Sequence, residues 1–442
     1  MIKNKLPNVS FVVRNDLCTG CGVCQGACPS KAVEIVAKDG LFHPIVDSSK
    51  CNNSKGCHRC YDVCPGVGVD IARMADESFA DDGVVKNELF GRYLKCFSGY
   101  SNDDDIRLHS ASGGLVTQFL IWLLENGEID GAVVTRFDKS NPLMVSSFIA
   151  TTKEEIVSGR SSRYAPVTLS SAVQHLMAAP GNRYVVVGVP CHIQGFRKLM
   201  RVDKRLNEKV VGLFSIYCSC GRNFYLTEFV FKERNINRDN LTYFQYRDDG
   251  CLGYMKAKAD GGNIMHPVNK YGKCSREGKL YVYKEPFQSY YHPLKSFFVP
   301  KRCLLCIDHY GELGDVCFGD IHTPPYIEDK VGVNSMIVRS QRWLELLRKC
   351  HEQGKISLDE IPFEVISKSQ RMSFKKKGRN GAFINICKKL GKKIPYYDVD
   401  YLRQPTLYDW VDYAKNRIQQ FIGRHKNLWW IISRVKAKVK VD

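Results

Sequence analysis

The chain has 442 residues, 44% of them hydrophobic and 25% charged, and a formal net charge of +19. Those proportions are ordinary for folded proteins and exclude a disordered or fibrous chain, while the length calls for two to four domains at roughly 100–200 residues each. No stretch reaches the ~18 uninterrupted apolar residues of a membrane span, and Met1–Val13 lacks a signal-peptide core, so a cytoplasmic chain is expected.

Nineteen cysteines in a long chain without a leader point to metal ligation rather than to disulfides. The first run, Cys18-x2-Cys21-x2-Cys24-x3-Cys28-Pro29, has the spacing that wraps a 4Fe-4S cube in bacterial ferredoxins. The second, Cys51-x5-Cys57-x2-Cys60-x3-Cys64-Pro65, repeats it with a polar insert, Asn52 to Gly56, in its first gap. In two-cluster ferredoxins the fourth cysteine of each run serves the other cluster, which predicts Cys18, Cys21, Cys24 and Cys64 around one cube and Cys51, Cys57, Cys60 and Cys28 around the other. A pair of zinc ribbons is the competing reading, but zinc has no use for the terminal Cys-Pro. Alternation over Ala32–Val36 and Phe42–Val46 predicts the hairpin strands of such a module. Residues 1–75 are therefore expected as a two-cluster domain, and the acidic, Gly-containing 76–93 as a linker.

From Leu94 to Ser367, β-rich runs alternate with helical stretches, the pattern of an α/β body. Ser110-Ala111-Ser112-Gly113-Gly114 precedes an amphipathic helix over Leu115–Glu125. Its amides could bind phosphate, or Ser112 could simply cap a tight Gly-Gly helix start. Strands are expected at Ala132–Thr135, Tyr184–Val189 and Val210–Tyr217, the last two running into Pro190-Cys191 and Cys218, where ligands gather in open α/β sheets. Ser158–Tyr164 contains two arginines that could grip phosphate or carboxylate, or could be a solvated loop. Cys303 and Cys306 form a lone CxxC pair whose obvious partners are Cys191 and Cys218, giving a third 4Fe-4S site, with Cys220 a competitor for Cys218. Cys96, Cys251, Cys274, Cys317, Cys350 and Cys387 lack ligand spacing and suit a buried apolar role. His109, His192 and His322 lie near motifs without an evident catalytic role.

In 366–442 there are 19 Lys and Arg against 5 Asp, so most of the excess charge lies in the tail. This concentration, without a base-stacking platform, argues against a nucleic-acid partner and reads as a docking or surface-binding appendage over 368–442. Trp429, Trp430, Ile431 and Ile432 with Lys436, Lys438 and Lys440 make an amphipathic basic segment suited to a membrane periphery or an acidic partner.

Taken together, the two cysteine runs, Ser112-Gly113-Gly114, Gly188-Val189-Pro190-Cys191, Cys303-x2-Cys306-x-Asp308, Gly314-Asp315, Gly319-Asp320 and Gly332–Val338 resemble the family of coenzyme F420 hydrogenase/dehydrogenase beta subunits. The resemblance implies an α/β fold with a bacterial-ferredoxin-like head, a flavin-binding body and a helical basic tail. It implies FAD beside the clusters, with Ser112, Gly113 and Gly114 near the flavin phosphates and Ser162, Arg163 and Tyr164 in the flavin pocket. Cys191, Cys218, Cys303 and Cys306 would be cluster ligands, with Asp308 and Asp320 shaping their surroundings. It implies an oxidoreductase passing electrons between clusters and a flavin that exchanges electron pairs with coenzyme F420 or a related substrate, in contact with a redox protein or small electron carrier. A non-catalytic electron relay within a larger complex and a ferredoxin-dependent reductase of envelope polysaccharide synthesis are the alternatives.

Overall fold

The computed structural model describes residues 7–138, 141, 143–260, 271–294, 296–399 and 402–436. Its centre is a mixed eight-stranded sheet. In chain order the strands are β1 (Lys95–Ser101), β2 (Gly131–Phe137), β3 (Val145–Ala150), β4 (Tyr184–Gly188), β5 (Val210–Ile216), β6 (Val316–Asp320), β7 (Asn334–Val338) and β8 (Ile356–Glu360). They lie side by side as β8-β1-β7-β6-β5-β4-β2-β3. The four central strands β2, β4, β5 and β6 are parallel, and antiparallel strands close both flanks.

Central parallel strands are covered on both faces, which is why β4 and β5 read as near-continuous apolar runs. On one face helices α1 (Leu115–Glu125) and α3 (Gln341–Glu352) pack Phe119, Trp122 and Trp343 against Phe214 and Phe318. Gly212 is obligatory there, since a β-carbon would stand 2.3 Å from the Trp343 ring. On the other face lies α2 (Pro190–Val202), begun by Pro190 in the first helical turn, where a missing amide costs nothing. A separate four-stranded antiparallel sheet, Leu241–Asp248, Tyr254–Asp260, Leu280–Pro286 and Lys273–Glu277, flanks the body.

The expected strands and the helix over Leu115–Glu125 are all present. The head contains the hairpin Val33–Lys38/Leu41–Val46 and opens on a helix, Val9–Arg14. Its last strand, Gly68–Val69, pairs in parallel with Tyr396–Tyr397 from the far end of the chain.

Two expectations need correction. The 76–93 linker is folded: the helix Ile71–Ser78 runs into it, a hairpin joins Val85–Asn87 to Gly91–Tyr93, and Phe90 is fully buried against Tyr310. Nor is the basic tail an appendage. Phe383, Ile384, Ile386, Tyr397 and Tyr413 enter the same core as Val12, Val23 and Val63 of the head and Ile193 and Phe196 of α2. Head, body and tail thus share one core. The final helices, α4 (Leu407–Arg424) and α5 (Trp429–Lys436), lie on this assembly, with Trp429 and Ile432 buried against Phe229 and Phe298. Trp430 points outward, and Lys438 and Lys440 lie outside the described residues.

Candidate functional site

The two cysteine runs fold back on each other. Cys18, Cys21, Cys24 and Cys64 line one apolar chamber with Val9, Val12, Ile35 and Pro44. Burial, then the neighbouring Cys64 thiol, pushes Cys21 up to about 11. Cys60 is likewise pushed up to about 11 by burial, with Cys28, Cys51 and Cys57 as the thiols that act on it, so the second quartet is also assembled. Cys24 feels Cys60 as well as its own quartet, which makes the two sets neighbours. A chamber lined by four inward thiols, with the Gly20 amide donating to Cys18 Sγ at 3.4 Å, fits a thiolate-held cube whose sulfurs need amide donors.

A third group forms where β4 and β5 end. Cys191 begins α2 and Cys218 follows β5, while Cys303 lies within a tight 3-10 turn, Lys301–Leu305, and Cys306 closes it. Burial pushes Cys191 far above its ordinary value, and the thiols of Cys21, Cys218, Cys303 and Cys306 push it further. Cys218, Cys303 and Cys306 thus lie in the neighbourhood of Cys191, and so does Cys21 of the first quartet. Cys220 borders Cys303, but its sulfur is engaged by the Arg222 guanidinium at 3.0 Å.

Sequence reasoning missed the cations around these sulfurs. Lys376 opens a π-helical turn, Lys376–Asn380, and is buried with its ammonium 3.5 Å from Cys306 Sγ and 2.6 Å from the Asp308 carbonyl oxygen. Asn380 in the same turn donates to the Cys306 carbonyl at 2.7 Å. Lys198 on α2 donates to the carbonyls of Cys64 and Gly68. Buried Arg302 donates to the carbonyls of Pro65 and Gly66, locking the CxxC turn to the head. In a run such as Lys375-Lys376-Lys377 the sequence shows only a basic segment; burial depends on partners ~70 residues away. Asp308 is the hub of this region, accepting from the Gly311 amide at 2.8 Å and from Gln194 at 2.8 Å.

Of the expected flavin-pocket residues Tyr164 faces Arg247, which is buried. Arg247 donates to Asp320 Oδ2 at 2.6 Å and to the Ala111 carbonyl, while Ser161 donates to the Arg247 carbonyl. Burial would raise the Asp320 carboxyl, but Arg247 holds it below its ordinary value. Tyr164 stands against Tyr291 (ring centroids 4.5 Å apart) and stacks on Phe287, and the Arg222 guanidinium lies 4.6 Å over Tyr291. One arginine-aromatic wall thus runs from the Ser112 segment to Cys220 and the third quartet. Ser110 Oγ and Arg222 Nε are buried on it without a hydrogen-bond partner among the described residues. Such orphaned polar atoms suit a polar cofactor.

The individual site residues behave differently. Ser112 donates to the Val333 carbonyl at 2.7 Å, and Asn334 Oδ1 accepts from the Leu115 amide, so a side chain already caps the start of α1. Gly113 is crowded by the Gly99 carbonyl and Asn334, and Gly114 adopts φ 75°, the left-handed region glycine tolerates. Ser162 is half-buried beside Tyr164. Arg163 turns inward and donates to the carbonyls of Gly159 (3.1 Å) and Ser161 (2.5 Å), bracing its own loop rather than offering a free fork to an anion. His192 is buried beside the Val167 carbonyl, and burial lowers it to about 4, so it is neutral near pH 7.

Three regions match described families: 17–69 the 4Fe-4S dicluster domain, 96–174 the N-term part of the coenzyme F420 hydrogenase/dehydrogenase beta subunit, and 181–363 its C terminus. A protein named as one of the subunits of the F(420)H(2) dehydrogenase in Methanosarcina mazei is 23% identical over 393 residues, covering 86% of this chain and 96% of that protein. The coenzyme F420-dependent sulfite reductase of Methanocaldococcus jannaschii is 25% identical over 365 residues, covering 83% of this chain but 50% of the relative. Among solved structures, a chain of the F420-reducing NiFe hydrogenase complex from Methanosarcina barkeri aligns with a TM-score of 0.52 at 20% identity, over 73% of this chain and 99% of that one, which supports the fold.

Proposed function

Since the chain belongs to the family of coenzyme F420 hydrogenase/dehydrogenase beta subunits, we propose that it is an iron-sulfur flavoprotein oxidoreductase wired from the head to the body. The observation that carries this reading is the succession of three adjoining cysteine quartets, linked by Cys24–Cys60 and Cys21–Cys191 and ending at the arginine-aromatic wall. Bound there, 4Fe-4S clusters supply one-electron transfer, and FAD supplies exchange between single electrons and electron pairs.

The chain's own residues would do the rest. Cys28, Cys51, Cys57 and Cys60 hold the outer cluster, Cys18, Cys21, Cys24 and Cys64 the middle one. Cys191, Cys218, Cys303 and Cys306 hold the inner one. Cys218 is preferred to Cys220 because Cys191 and Lys376 both face it. Ser112, Gly113 and Gly114 border the flavin, as do Ser162 and Tyr164, with Arg163 bracing the loop. Arg222 would supply fixed positive charge beside the aromatic wall, while the charge of Arg247 is balanced by Asp320. The two-electron substrate is coenzyme F420 or a compound of like chemistry, and a redox protein is the one-electron partner, as expected of a chain whose relatives are named as hydrogenase and dehydrogenase subunits. We place the protein on the cytoplasmic side.

Anaerobic purification followed by iron, sulfide and flavin analysis tests the cofactors; rapid-mixing reduction by reduced F420, reduced ferredoxin and nicotinamide in turn tests the donor. Three clusters and one flavin, reduced by F420 or ferredoxin, are expected. A colourless zinc protein would refute the proposal.

A further inference from the structure

A surface helix ordinarily buries its apolar stripe and shows water its polar one. Helix α4 packs Trp410, Tyr413 and Ile422 on the cores but also shows an apolar row to water. Its inward positions are Asp409, Tyr413, Asn416, Gln420 and Gly423. Asn416 and Gln420 bond to the segment Ser296–Val299, and Gly423 lies so close to the Phe297 backbone that no β-carbon would fit. Its outward positions are Leu407, Tyr408, Val411, Ile418 and Phe421, each between 57% and 81% exposed. Trp430 on α5 is exposed as well. The inner face is satisfied by hydrogen bonds, so the outer face is not a misplaced core; no described residue covers it. It extends about 21 Å along the axis at ~1.5 Å per residue, and an apolar surface of that length marks an interaction site.

We propose that the outer face of α4, together with Trp430, seats this protein on an anionic lipid surface. Charge selects this occupant. The exposed ionisable residues of 402–434 are Arg403, Lys415, His425, Lys426 and Arg434, and no Asp or Glu of that segment is exposed. Asp409, the acid at the start of α4, is turned inward and tied to Arg403. Lys415 stands in the apolar row between Val411 and Ile418, and the Arg434 guanidinium lies 4.8 Å over the Trp430 ring. Arg403 and Lys426 are paired with Asp409 and Glu228, which leaves Lys415 and Arg434, among the described residues, as the cations free to face a partner. An apolar face with aromatic residues and such cations beside it is the pattern of a helix lying in the headgroup region of an acidic leaflet. No helix among the described residues is long and apolar enough to cross a membrane, so attachment would be in-plane. The segment differs from the one the sequence suggested: of Trp429–Ile432, Trp429 and Ile432 are core residues, and the apolar face belongs to the preceding helix.

The test is co-sedimentation of the full-length, cluster-loaded protein with vesicles of phosphatidylcholine, with and without phosphatidylglycerol. Wild type should bind the anionic vesicles, release as salt is raised, and leave the neutral ones at least tenfold less occupied. Ile418→Glu/Phe421→Glu, at outward positions, should keep its visible cluster absorption and lose binding by at least tenfold; Lys415→Glu should lose a smaller part. Wild type that stays in the supernatant, or a double variant that binds as wild type does, overturns the proposal. So does a dimer broken by Phe421→Glu without vesicle binding, which would assign the face to a second copy of the chain.

Discussion

The Lys376 ammonium stands 3.5 Å from the Cys306 sulfur, although the two residues come from segments that no local motif connects. A buried cation at a thiolate-held cluster favours the form with one more electron, because charges in a dry site are weakly screened. Lys376→Met should therefore lower the midpoint potential of the innermost cluster and leave the other two in place, while Lys376→Arg should largely restore it. An EPR-monitored redox titration reads both outcomes. Unchanged potentials in Lys376→Met would show that the ammonium only braces the Asp308 carbonyl.

The neighbouring pair Cys218 and Cys220 gives a sharper choice. Cys218→Ser should cost the protein about one third of its iron, one cluster in three, whereas Cys220→Ser should retain it. Iron analysis of the two variants side by side decides which thiol is the ligand; loss on Cys220→Ser alone would reverse the assignment.

Tail residues in the common core imply joint unfolding. Phe383 is fully buried among head and body side chains, and Phe383→Ala should cost ~3–5 kcal/mol. The loss should appear as one cooperative shift in denaturant when followed both by cluster absorption and by far-ultraviolet dichroism. A head that melts separately from the body would contradict the shared core.

Acid should loosen α4 first at its start. Arg403 and Thr406 hold the Asp409 carboxyl well below its ordinary 3.8 against the opposing effect of burial. A depressed carboxylate stabilises the fold fully above its unfolded value, and that contribution is lost as pH falls below it. Asp409→Asn should thus cost ~1–2 kcal/mol at pH 7, the size of a lost helix cap, and the gap to wild type should begin to narrow below about pH 5 and still be narrowing at pH 2. Thermal melts of both proteins across that range measure it.

What the sequence disclosed was local. The cysteine runs carry their chemistry in their spacing, and β4 and β5 announce themselves by apolar runs that only a two-sided burial explains. What escaped was set by distant partners. Lys376 and Lys377 look like solvated charge until Cys306, Asp308 and Glu312 are brought against them. Arg163 looks like an anion fork until its loop curls around it. In α4 a stripe of Leu, Val, Ile and Phe at helical spacing, which ordinarily marks the buried side, faces outward. Phe90 gives no sign in its acidic surroundings that it anchors a hairpin.

The parallel pairing of Gly68–Val69 with Tyr396–Tyr397 bears on how the molecule is made. The head's closing strand waits for a partner that leaves the ribosome roughly 330 residues later, a separation that slows assembly. Until Tyr396 and Tyr397 are made, the Gly68–Val69 edge has no strand to pair with, so this last seam between the two ends of the molecule closes only once nearly the whole chain exists.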